Sequence, residues 1–151
     1  MDRNAILDGY VSDYKTYSGS DSRTTVEKVL KYSGTSSDIL RRGDIKKEIV
    51  VFRLLGGSAN YMLDDEKPDE LTQNFEALVY VEQSDGHSMI DVAYDRILEI
   101  TDQLIDWATQ VTGSAVNSKV YTISLTGVGA TDERNGYLSA SVNFQSIIQI
   151  S

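Results

Sequence analysis

Five carboxylates, Asp91, Asp95, Glu99, Asp102 and Asp106, recur every three or four residues in the stretch 89–111. Projected at about 100° per residue on a helix, they share one stripe about 80° wide. Carboxylates brought together in a pocket can hold a divalent cation or act as acid and base. A row strung along one helix face spreads its charges instead of converging them. It reads as a solvated outer face, or as a surface that meets a basic partner or repels DNA. Like charges at i, i+4 cost a few tenths of a kcal/mol each, so helix economy alone does not select them.

Other chemistry-bearing residues are few. The chain has no cysteine, which excludes disulfides, thiolate nucleophiles and Cys-ligated zinc or iron–sulfur sites. Its one histidine, His87, leaves no His pair for zinc and follows Asp85-Gly86 as a polar loop residue. Gly127-Val128-Gly129 is a fragment of a dinucleotide-binding motif without the third glycine or a following helix. Tyr10, Tyr14 and Tyr17 could stack on bases, but their helical spacing and the lack of a Lys/Arg groove point to core packing or a subunit contact. The formal net charge of −9 argues against a surface that grips phosphates. No catalytic, cofactor-binding or metal-ligating residue is singled out, and neither an enzymatic activity nor a cofactor or metal is expected.

The elements that must position these residues form a single domain over 1–151, within the usual size of one domain. Residues 1–43 read as a helical N-terminal region. Residues 44–151 read as a strand-strand-helix-strand-strand core. Asn4 to Tyr17 places Ile6, Leu7, Tyr10, Val11, Tyr14 and Tyr17 on one helical stripe. A second helix is expected from Ser22 to Tyr32, opened by Thr24 and Glu27 at capping-box spacing. Ser33 to Asp44 reads as a connection with one helical turn at Ile39-Leu40-Arg41.

Glu48 to Leu55 is β-rich and reads as a buried strand stopped by Gly56-Gly57. A polar loop, Ser58 to Thr72, with the only proline, Pro68, leads to a strand from Asn74 to Gln83. Ser88 can cap the longest helix, about Met89 to Val111, closed by Gly113. Its apolar face comprises Ile90, Ala93, Tyr94, Ile97, Ile100, Leu104, Trp107, Ala108 and Val111. Lys119 to Val128 and Gly136 to Ile150 read as antiparallel strands joined by 129–135, with Asn135-Gly136 a turn signal. The 58–72 and 129–136 loops are too polar to pack a core and are expected to be ordered mainly by neighbouring molecules.

The expected fold is α+β, an antiparallel or mixed sheet of four or more strands with a long amphipathic helix packed on one face, plus N-terminal helices. The longest apolar runs, such as Ile49-Val50-Val51-Phe52, are far short of the roughly 20 residues that cross a bilayer, so no membrane partner is expected. Met1-Asp2-Arg3-Asn4 does not open a secretory signal. A last strand of about 14 residues extends roughly 46 Å. A chain of this length has a radius of gyration near about 15 Å. The strand is therefore expected to bend at a bulge or to reach beyond the domain and pair with a neighbouring subunit.

In the strands Glu48 to Leu55 and Phe75 to Glu82, the helix Ile90 to Val111, and the closing pair Tyr121-Thr122-Ile123-Ser124-Leu125 and Leu138 to Phe144, the chain resembles the tail terminator, or tail completion, proteins of long-tailed bacteriophages. The likeness spans roughly 44–150. It implies a small structural virion protein, without enzymatic activity, that forms a homohexameric ring at the tail top. Such a ring would contact the tail tube protein and the head-tail connector, and DNA would pass through without specific binding. Assembly would take place in the host cytoplasm. Another neck or tail-tube ring protein is the nearest alternative; a small-molecule binding module or an Asp/Glu-based hydrolase is a third.

Overall fold

The computed structural model describes residues 1–21, 24–26, 28–32, 48–61, 67–82, 90–110, 116–134 and 136–150. Its elements are helix α1 (Arg3–Ser20), strands β1 (Lys28–Lys31), β2 (Glu48–Asn60) and β3 (Glu70–Glu82), helix α2 (Ile90–Gln110), and strands β4 (Val120–Val128), β5 (Asp132–Arg134) and β6 (Tyr137–Gln149). The class is α+β: a six-stranded mixed sheet in the order β1-β2-β3-β6-β4, with β5 also on β6. All pairings are antiparallel except β1 with β2.

α1 starts where the Asp2 side chain accepts a hydrogen bond from the Ala5 backbone N–H at 3.1 Å. Its apolar stripe buries Ile6, Leu7, Tyr10 and Tyr14 against the sheet. α2 buries Ala93, Ile97, Ile100, Leu104, Trp107 and Ala108 on the same sheet face. Tyr94, assigned to that face by its spacing, is instead exposed on the helix flank. The expected core positions Ile90 and Val111 lie outside the described side chains.

Both helices converge on an aromatic cluster. Tyr10 stacks on Phe75 at 4.1 Å between ring centroids, Phe75 on Phe144 at 5.0 Å, and Trp107 stands edge-on to Tyr14, Phe52 and Phe144 at 5.6 to 5.7 Å. β6 alternates strictly, burying Leu138, Ala140, Val142, Phe144, Ser146 and Ile148 on the helix side. β2 is buried on both faces: Val50 and Phe52 join the helix-side core, while Ile49 and Val51 pack with Tyr80 on the other.

Polar ties fix how the helices sit. Arg96 grips Glu48 through two hydrogen bonds, at 2.5 and 2.6 Å, and also donates to the Thr25 carbonyl at 2.9 Å, which clamps α2 to β2. Gln103, Tyr14 and Asp21 form a second tie between α2 and the end of α1.

Several sequence expectations are corrected. The segment read as a second helix contains β1, because Val26 and Val29 are buried and 28–31 pair in parallel with 49–52. Within the described part of 1–43 there is thus one helix, not two. β2 does not stop at Gly56-Gly57. It passes them through a bulge, and Ser58, Ala59 and Asn60 pair with Thr72, Leu71 and Glu70. Gly57 is required there, since a Cβ would lie 2.6 Å from the Thr72 carbonyl oxygen, and the buried Gln73 amide closes the bulge on the Leu55 carbonyl at 2.7 Å. Both ends of the supposed 58–72 loop, 58–60 and 70–72, are therefore strand, and the supposed 129–136 loop contains β5, paired to β6 before the Gly136 turn at φ 80°. β6 does not reach out to a neighbour. It is the centre of the sheet, matched by β3 over its whole length and flanked on its other side by β4 and β5. The expected turn at Ile39-Leu40-Arg41 lies outside the described residues.

Burial pushes the Tyr10 hydroxyl up from its ordinary value of 10.0 to about 12, against a lowering by its hydrogen bond with Ser146, and burial raises Tyr14 further still. Both rings resist ionising when folded, so their contribution to stability is intact below about pH 10 and is lost as pH rises towards the folded values. Urea midpoints should therefore fall steeply above about pH 10. The fall should be shallower in a Tyr10→Phe/Tyr14→Phe variant, and equal slopes would contradict this assignment.

Candidate functional site

The acidic row occupies the surface of α2. Asp95, Glu99 and Asp102 are exposed and Asp106 is half-buried; the Asp91 side chain lies outside the description. Glu99 pairs with Arg96 at 3.1 Å. Where α2 passes the end of α1, Asp21, Thr24, Glu99, Asp102, Gln103 and Asp106 line an open groove of about 280 Å³. Its buried floor, Gln103, is satisfied from within: it accepts from the Tyr14 hydroxyl at 2.7 Å and donates to Asp21 and to the Thr24 carbonyl. Among the described residues no three His, Cys, Asp or Glu side chains gather closely enough to hold a metal ion.

The other residues singled out by type fall elsewhere. Tyr10 and Tyr14 are fully buried, with hydroxyls on Ser146 at 2.5 Å and Gln103, so they pack the core and offer no ring to a base. Tyr17 is half-buried and reaches Gln110 at 3.3 Å. Gly127 and Val128 end β4 opposite Asn143 and Val142, with no helix following. His87 lies outside the described residues.

What the fold does bring together is an apolar margin. β4 ends the sheet, so one of its backbone edges is unpaired among the described residues. Leu125 and Val128 sit opposite Phe144 and Val142, and cross-strand partners point to the same face, so both face the helix side. They are nevertheless 40% and 51% exposed. On α2, Tyr94 and Leu98 lie one turn apart, and Tyr94 falls half a turn round from Gln103, on the flank turned away from α1. α2 packs on β6, β3 and β4, so that flank looks towards β4. Of the eight exposed large apolar side chains among the described residues, Leu125 and Val128 lie on β4 itself and Tyr94 and Leu98 on the α2 flank turned towards it, so four are gathered on the side of the outer β4 edge. A fifth, Tyr121, stands at a bulge in β4 itself. The sequence carried this signal only as apolar residues on what reads as an ordinary hairpin strand, since exposure depends on the packing of distant elements.

No protein-family profile matches the chain. No curated protein matches it either. The chain is similar in fold to a solved structure of a protein without a functional name, at a TM-score of 0.55 and 9% identity, covering 100% of this chain and 98% of that one. At that identity the likeness concerns the fold alone.

Because Asp95 and Asp102 are exposed, the variant Asp95→Asn/Asp102→Asn should keep its urea midpoint or gain a few tenths of a kcal/mol for each like-charge i, i+4 pair relieved. A large drop in midpoint would mean that the row is held in an ion-paired network.

Proposed function

We propose that this chain is a structural virion protein of the tail terminator type, whose copies close into a ring, six in the simplest case. The ring caps the tail tube, joins the tail to the head and lets DNA pass without specific binding. In this reading the protein acts by assembly and not by catalysis. It works at the tail top of the virion after assembly in the host cytoplasm, and its partners are other copies of itself, the tail tube protein and the head-tail connector.

The observation that carries the reading is the unpaired β4 edge bordered by Tyr94, Leu98, Leu125 and Val128. A strand edge with apolar side chains on its margin offers both backbone hydrogen bonding and surface to bury, the combination used in strand-to-strand association. The excess of carboxylates fits a passage for DNA that must not bind it, since like charge repels phosphate. The same edge would serve another neck or tail-tube ring protein equally well, and the choice between those roles rests on the sequence resemblance.

Native mass spectrometry and negative-stain images, taken with and without purified tail tubes, test the proposal. A closed ring of defined mass is expected, and Leu125→Glu/Val128→Glu should yield monomers that unfold as cooperatively as the parent chain. A parent chain that stays monomeric under both conditions would overturn the reading.

A further inference from the structure

A closed ring requires two different surfaces on each copy, because head-to-tail contacts close by rotation whereas a two-fold contact stops at a dimer. The β4 edge supplies one. At the opposite end of the sheet, β1 pairs with β2 only from Ile49 to Phe52. Beyond Phe52, among the described residues, no strand lies on that side of β2, and Gly56, Gly57, Ser58 and Ala59 are all exposed. Among the described residues this is a second open edge, and it differs from the first in kind: four small exposed residues in a row, against the bulky Tyr121, Leu125 and Val128 of β4.

Strand direction relates the two. β3 runs against β2, β6 against β3 and β4 against β6, so β4 runs opposite to β2. A neighbour generated by rotation about an axis along the strands keeps the sense of its own strands. Its β2 would therefore meet β4 antiparallel, the better-bonded of the two pairings. Strands pair at about 4.8 Å, and the small residues let the backbones come that close while the large apolar side chains of β4 fold over them.

We infer that the occupant of the β4 edge is the Gly56–Ala59 segment of a second copy, so that neighbouring sheets join head to tail into one continuous belt around the ring. The inference rests on the ring reading above and specifies its contact.

The chain lacks cysteine, so introduced thiols report alone. Ser58 and Ser124 are exposed on the two edges. In Ser58→Cys/Ser124→Cys, a short bismaleimide should link each copy to the next and give a covalent ladder that ends at the ring number, while either single variant stays monomeric on a denaturing gel. Dimers from Ser124→Cys alone would reveal β4 paired with β4 about a two-fold axis and would overturn the head-to-tail contact. Rings in the native mass spectrum of the double variant without a ladder would overturn the contact and leave the ring reading standing. Failure of the unsubstituted chain to form any multimer, alone or with tail tubes, would remove both.

Discussion

The architecture depends on the aromatic cluster in which Trp107 on α2 meets Tyr14 on α1, Phe52 on β2 and Phe144 on β6. These four rings come from four elements far apart in sequence, so no pair of neighbouring segments can form the core alone. Truncating a buried ring of this size costs about 3–5 kcal/mol. A single polar tie such as Trp107 to the Asp13 carboxylate, at 2.8 Å, contributes about 1.5–3 kcal/mol net. The rings therefore supply the cohesion. The polar ties decide something else, the rotation and lateral position of the helices.

That division has a consequence at the margin of the sheet. The clamp of Arg96 on Glu48 and the tie of Gln103 to Asp21 hold the Gln103 flank of α2 towards α1, while the helix packs on β6, β3 and β4. Leu125 and Val128 stay exposed on that same face of the sheet. The exposed margin thus lies beside a core that is already closed by its own rings and ties. A second copy can bury it while every intramolecular contact stays in place.

Much of this fold was legible in the sequence because its longest elements are strongly periodic. The 21-residue helix α2 and the alternating β6 announce themselves, and so do the apolar centres of β2 and β3. Two errors have physical causes. The segment Ser22 to Tyr32 has a local capping pattern, yet its residues Lys28–Lys31 form a strand because parallel pairing with β2 buries Val29, while the Thr24 carbonyl serves Gln103, contacts that local spacing does not record. Gly56-Gly57 looks like a stop because glycine usually weakens a strand, whereas here Gly57 is what lets β2 pass close to the Thr72 carbonyl at a bulge. The acidic row and the buried tyrosines were readable from spacing alone. The exposed apolar margin at β4 was not, because the exposure of Leu125 and Val128 depends on the packing of distant elements and not on local spacing.

The central claim is that assembly takes place at the β4 edge, and amide hydrogen exchange of the assembled against the dissociated protein tests it most directly. Unpaired edge amides exchange readily, and new strand pairing protects them. The account predicts that amides within 121–128 gain protection on assembly while those of β3, already paired on both sides, change little. Unchanged exchange across 121–128 in a protein that has demonstrably assembled would contradict it.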